Sequence, residues 1–504
     1  MSDDQARARS GSLSRSHGSS PSAVDIARDV TAGRLRAVEV LERHRARHEA
    51  VAQPLNAVVQ PRFEAAAVEA AAIDARVAAG QLGQEALLAG VPTSVKDCFA
   101  VRGLATTLGL VTRRHVLDEE DASLIARLRS AGAIIVGKAN VPQALYLHET
   151  GNPLWGRTVH PLDPSRGPGG SSGGDAAAVA AGVVPLAVAN DLAGSLRQPA
   201  HACGIAAIMP RTTALGDGGA FDTMPAVRAV RPRAGFLARS VDDLALALAA
   251  VGLRNQSQVS IRRIAWWDEA GPIPAAAAIQ RAVQEAVERL SRHGVETLRV
   301  DSAIATEAAW LLLAILAADG GADIRRLFGG ERPMPGVRKL LAIAGLPRRW
   351  RPLIATLARL VGSQIEAEGV LRTGPRTHAE LVRLVADRDA LAGRFAAVVA
   401  GCDAVVCPVS AVPAMRHGTA ARLVLAASPC LLANLLDLPA GAVPVTTVRD
   451  DERHARPWSI DPVLRAARSA DRGSHGLPLG VQVIGCPGRD EATVLEVMRL
   501  VEQT

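Results

Sequence analysis

Three times along the chain, a segment with helical periodicity ends at a glycine and runs into a stretch that reads as a strand. The three instances are 121–131, Gly132 and 133–137; 176–181, Gly182 and 183–188; and 278–293, Gly294 and 295–300. Helix, stop and strand in that order, the first strand reading as buried, is the pattern of crossover units, so the chain reads as α/β with parallel elements in its sheet. At 504 residues, with 48% hydrophobic and 21% charged residues, it can bury a large core. Aromatics make up only 3%, so Ala, Leu and Val must fill that core, and platforms for stacking nucleic-acid bases are not expected. The net charge of +7 is carried by arginines spread along the chain, and no nucleic-acid motif accompanies them.

Further helices are expected at Val24 to His48 and Phe63 to Ala79, with strands at Ala404 to Pro408 and Leu479 to Ile484. Thr306 to Ala400 reads as mostly helical, a variable layer over the sheet. Val448 to His475, polar and Arg-rich, reads as a surface loop. Residues 1–22 read as a disordered Ser/Arg tail, and 23–504 as one domain. The N-terminus has no apolar signal core, and the longest apolar run, Ala308 to Ala318, is too short to span a bilayer. Six cysteines without a CxxC pair suggest free thiols rather than a metal site. A cytoplasmic location follows as the expectation.

Of 57 basic residues only three are lysine: Lys96, Lys138 and Lys339. Lysine can lose its proton where arginine cannot, so each is a candidate for chemistry. The run Pro168-Gly169-Gly170-Ser171-Ser172-Gly173-Gly174 admits three readings. A linker should divide regions of different character, and similar patterning continues on both sides. A phosphate cradle needs a nearby lysine or a preceding strand, and residues 160–167 are proline-interrupted. A serine nucleophile remains; the formal G-x-S-x-G match centred on Ser172 also lacks its strand.

The wider context decides among them. GVPTSVKD surrounds Lys96, DASLIARLRSAGAIIVGKAN covers 121–140, and NDLAGSLRQPA covers 190–200. GFLARSVDDLAL from Gly235, CDAVVCPV from Cys402, NLLDLPAGAVPV from Asn434 and GLPLGVQVIG from Gly476 follow in order. With these blocks the chain resembles the amidase signature family of hydrolases across most of its length. The resemblance implies a large, twisted, mostly parallel mixed sheet covered by helices on both faces. It implies a Ser-Ser-Lys triad: Ser195 as nucleophile, Ser171 as bridging serine after a cis peptide to Gly170, and Lys96 as base. The backbone N–H groups of Leu192, Ala193, Gly194 and Ser195 would form the oxyanion hole, with Gly170, Asp191 and Arg197 in support. Lys138 belongs to a family block with a structural role. The implied activity is hydrolysis of a linear carboxamide through an acyl-enzyme, with no metal or cofactor. The partner would be a small-molecule amide, with a homodimer among the oligomeric options.

Three positions depart from the family pattern. Ala193 stands where a glycine is usual, Met209 follows an altered run after Cys203-Gly204, and Leu110 replaces a small polar residue. These positions are expected to line or border the site, where they would either create an apolar acyl pocket or impair catalysis. A catalytically impaired scaffold and a protein like the amidase-fold component of a tRNA-dependent amidotransferase are therefore the competing functions.

Overall fold

The computed structural model describes residues 21–253, 259–454 and 456–503. Of the expected tail, residues 1–20 lie outside that set. Ser22 begins the first described helix, Ala23–Thr31, with its hydroxyl accepting the Asp25 N–H at 3.0 Å. That bond satisfies one of the orphan donors of a helix start.

Thirteen strands occur among the described residues. They are β1 (Val58–Pro61), β2 (Pro92–Lys96), β3 (Ile134–Ala139), β4 (Gly151–Asn152), β5 (Gly156–Arg157), β6 (Leu186–Asp191), β7 (Ala206–Met209), β8 (Arg233–Ala238), β9 (Arg263–Trp266), β10 (Glu296–Arg299), β11 (Ala404–Pro408), β12 (Ala440–Thr447) and β13 (Pro478–Gly485). Strands β4 and β5 form a small separate hairpin. The other eleven form one sheet in the order β1-β3-β2-β6-β8-β7-β12-β13-β11-β9-β10. Every residue of β2, β3, β6, β7, β8 and β11 is buried, so both faces of the centre are covered.

The sheet is α/β and mixed, but it is not mostly parallel. Four neighbouring pairs are parallel: β3/β2, β2/β6, β11/β9 and β9/β10. The other six are antiparallel. Parallel pairing appears where the helix–glycine–strand pattern was read, as when Ser123–Ser130 carries the chain from β2 to β3 and Ala277–Arg292 from β9 to β10. In the middle, strands buried on both faces are simply apolar runs, and an apolar run carries no information about direction.

Residues 303–398 supply six helices: Ala303–Leu316, Ala322–Phe328, Pro335–Ala344, Arg351–Leu360, Gln364–Arg372 and His378–Val398. The last opens with a capping box between Thr377 and Glu380. Arg351 is buried and donates to the carbonyls of Ile343, Ala344, Leu346 and Val370. The expected surface loop at 448–475 also needs correction. It contains the helix Pro462–Asp471, capped by Asp461, which buries Val463, Ala466, Ala467 and Ala470. That i, i+3, i+4, i+7 stripe is built mostly from alanine, which hid it among the arginines.

Candidate active site

Lys96 is the last residue of β2 and is fully buried. Strand β6 lies alongside in parallel register, Val95 opposite Val188, so the Lys96 side chain reaches the end of β6. Its Nζ contacts Ser171 Oγ at 2.7 Å, Asn190 Oδ1 at 2.7 Å and the Asn190 carbonyl at 3.3 Å. Burial pushes the Lys96 ammonium below its ordinary pKa, opposed by the more distant charges of Cys98, Asp175 and Asp191.

Ser171 follows a cis peptide to Gly170, directly before the helix Gly173–Ala180. A side chain on Gly170 would strike the Leu147 carbonyl at 2.6 Å and the Glu149 nitrogen at 2.7 Å, so only glycine fits there. The Gly170 N–H donates to Gln198 Oε1 at 3.1 Å. Ser172, the centre of the formal G-x-S-x-G match, is buried with its hydroxyl directed to the Asn190 carbonyl at 3.4 Å.

Ser195 sits in the turn between β6 and the helix Arg197–Cys203. It shares a cavity wall with Ser171, Asn190, Leu192 and Ala193, and its hydroxyl has no hydrogen-bond partner among the described residues. Asp191 organises this turn. One carboxylate oxygen accepts the Gly194 N–H at 2.7 Å, and the other accepts the Leu196 N–H at 3.0 Å. The Arg197 guanidinium closes on both oxygens at 3.0 Å and continues to Asn434 and Gln482. Burial alone would push the Asp191 carboxyl up. The Arg197 charge and the surrounding hydrogen bonds outweigh it and hold the group well below the usual carboxylate range.

This arrangement changes the expected oxyanion hole. The Gly194 N–H is already bonded to Asp191, so it is not a free donor. The N–H groups of Leu192, Ala193 and Ser195 have no partner among the described residues. Gly194 is required for a different reason: its φ is +93°, and an added Cβ would lie 3.0 Å from Cys430 Cβ. Ala193, by contrast, is not among the residues at positive φ. Alanine at that position is unstrained.

The cavity holds about 270 Å³, and the helices of 303–372 contribute Leu313, Leu316, Leu340, Ile343, Ile365 and Val370 to its lining. A Lys339–Glu366 ion pair interrupts the aliphatic wall. Met209 and Leu110, expected beside the site, do not line the cavity; both are fully buried, and Met209 Sδ accepts from Asn434 Nδ2. Lys138 is also buried away from the cavity, donating to Asp118, Thr106 and the Ala105 carbonyl. The sequence reading missed Asn190, Gln198 and Asn434. Each lies in a block that carries the resemblance, but its partner is distant in the chain, so the local pattern gives it no role.

The Amidase family model matches residues 39–494. The chain belongs to the amidase family. Fatty-acid amide hydrolase 1 of Sus scrofa is 30% identical over 447 residues, covering 83% of this chain and 76% of that one. A glutamyl-tRNA(Gln) amidotransferase subunit of Anaeromyxobacter dehalogenans is 28% identical, covering 94% of both. Among solved structures, a fatty acid amide hydrolase superposes with a TM-score of 0.81 at 20% identity, over 98% of this chain and 86% of that one; it shares the fold. In this member of the family, the buried Lys96, the Ser171 it contacts and the cavity-lining Ser195 make up the candidate centre. Among the described residues, no helix is long and apolar enough to cross a membrane.

Proposed function

We propose that this amidase hydrolyses linear carboxamides bearing an extended apolar acyl group, through an acyl-enzyme on Ser195. The observation that carries the reading is the buried Lys96–Ser171 contact of 2.7 Å at the wall of an aliphatic cavity that also presents Ser195. Burial favours neutral lysine, the form that can accept a proton. Lys96 takes the Ser171 hydroxyl proton as Ser171 takes that of Ser195. Ser195 Oγ then bonds to the amide carbon, and the carbonyl electron pair moves onto oxygen. The free N–H groups of Leu192, Ala193 and Ser195 receive that charge, each well-aimed donor lowering the barrier by about 2.7–4 kcal/mol. The proton returns through Ser171 to the leaving nitrogen, the C–N bond breaks and the amine departs. Water repeats the sequence on the ester and releases the carboxylate. Every proton stays within the triad, the substrate and water.

The aliphatic lining and the similarity to fatty-acid amide hydrolase 1 both support an apolar acyl group. The buried free cysteines support a reducing compartment, the cytoplasm. The test is intact-mass measurement after fluorophosphonate treatment of wild type, Ser195→Ala and Lys96→Arg, followed by an amide panel of graded acyl length. One adduct on wild type, absent from both variants, is expected, with turnover rising with acyl length. No adduct on folded wild type points to a scaffold. A preference for short polar amides overturns the acyl assignment. The similarity to the glutamyl-tRNA(Gln) amidotransferase protein favours a second reading, a component of such an assembly, which copurification with other amidotransferase proteins would support.

A further inference from the structure

Among the described residues, Asn190 is the one besides Ser171 hydrogen-bonded to the Lys96 amine, and it is so twice, through its side-chain oxygen at 2.7 Å and its own carbonyl at 3.3 Å. An amine nitrogen has four tetrahedral directions, one of them the bond to Cε. The other three match in number the oxygens within hydrogen-bond reach of Nζ, two on Asn190 and Ser171 Oγ at 2.7 Å. Lysine has no acceptor except its lone pair when neutral, so the two Asn190 oxygens can only receive N–H bonds. The lone pair of neutral Lys96 is left pointing at the Ser171 hydroxyl. That chemistry also fixes the amide orientation, with Oδ1 toward the lysine.

We propose that Asn190 is a positioning residue that divides the three free valences of the Lys96 amine, anchoring two N–H bonds so that the lone pair addresses Ser171. The inference rests on Lys96 as the base of the proposed reaction. Both protonation states fit the arrangement. The neutral amine accepts from Ser171, and the ammonium donates to it, so the proton can go out and return without a side-chain movement. Asn190 supplies two uncharged acceptors, whereas a carboxylate at this position would hold the lysine cationic. The other titratable groups facing this pocket are Asp175 from the helix Gly173–Ala180, Asp191 at the end of β6, Cys98 after β2 and His148. None of them is hydrogen-bonded to Lys96 Nζ; one Asp175 oxygen accepts from Ser94 and the other has no hydrogen-bond partner, the Asp191 carboxylate is paired with Arg197, and His148 Nε2 is bonded to the Ala193 carbonyl.

The chain's three lysines make a direct test feasible. Lysine labelled with 13C at Cε gives three signals, and Lys96→Arg identifies the one that belongs to Lys96. In wild type that signal is expected to titrate below an ordinary lysine. In Asn190→Asp, nearly identical in shape, it is expected to move to higher pH. The rise of kcat/KM with pH is expected to move by the same amount, because a base works only when deprotonated. Asn190→Ala is expected to lower kcat about 10²-fold with little change in KM, the cost of a misdirected base. An unmoved Lys96 titration in folded Asn190→Asp overturns the proposal, as does an unchanged kcat in Asn190→Ala. Loss of the hydrolytic reading itself would show instead as absent turnover in wild type, and it leaves the lysine titration readable.

Discussion

Asp191 Oδ1 accepts the Gly194 N–H at 2.7 Å and thereby fixes the turn that presents Ser195. The same carboxylate is paired with Arg197, and both side chains are fully buried. Asp191→Asn keeps the shape but leaves the Arg197 guanidinium without its counter-charge in the core. Breaking one partner of such a pair costs about 3–5 kcal/mol. The urea midpoint is expected to fall accordingly, and the rate of fluorophosphonate labelling at Ser195 to fall with it. A midpoint equal to wild type would show that the pair does not brace this turn.

The two residues before Ser195 are predicted to respond in opposite ways. Gly194→Ala forces a side chain into φ +93° and against Cys430. Strain of that kind costs roughly 1–3 kcal/mol, and the turn bends to relieve it. Labelling of Ser195 is expected to slow by at least tenfold. Ala193→Gly changes no strained angle, so labelling is expected to stay within about twofold, with a small loss of stability from added chain freedom. Equal effects of the two substitutions would contradict this account of the turn.

The sequence made the candidate site legible because Lys96, Ser171 and Ser195, which the fold brings to one place, lie in blocks whose residues are constrained by local backbone. Gly170 and Gly194 show why: each sits where a Cβ would collide, so the constraint is written into the residue type itself. Strand direction was not legible, since β7, β8, β12 and β13 are apolar runs whichever way they point. The role of Asn190 was equally hidden. Its partner Lys96 lies 94 residues away, and only the β2/β6 register brings them together. Likewise, the apolar character expected from Leu110 and Met209 comes instead from helices far along the chain.

Asp175 should leave a mark on stability. It is fully buried, accepts from Ser94 Oγ at 2.8 Å through one oxygen, and its other oxygen has no hydrogen-bond partner. Burial raises its carboxyl from 3.8 to about 7, against the pull of the Ser94 hydroxyl and of Lys96. The folded state therefore holds this proton more tightly than the unfolded chain. Stability is lost as pH rises from about 4 through about 7 and is level above. Asp97, raised to about 6, acts in the same direction. Asp175→Asn removes only the Asp175 share. Melting temperatures measured at intervals from pH 5 to pH 8 are expected to decline less steeply in the variant. Parallel curves would mean that Asp175 does not change its protonation between the folded and unfolded states in this range.

The cavity proposed to hold the acyl group can be shortened without touching the turn that holds Ser195. Gly369 lines it from the helix Gln364–Arg372, and an added Cβ would find its nearest neighbour, Trp310, at an unstrained 3.9 Å. A leucine there extends into space lined by aliphatic side chains, where an acyl chain would otherwise lie. Replacing a helical glycine also favours the helix by up to about 1 kcal/mol, so the fold should tolerate Gly369→Leu. Each methylene denied burial weakens binding by about 0.8 kcal/mol. Loss of three or four methylene contacts then lowers kcat/KM for long-chain amides by roughly 50- to 200-fold, while the smallest acyl amides keep their wild-type values. Measuring kcat/KM across acyl length in both proteins separates the outcomes. A uniform drop at all lengths would place the lesion at the catalytic turn, and no drop at any length would mean that the acyl chain does not run past Gly369.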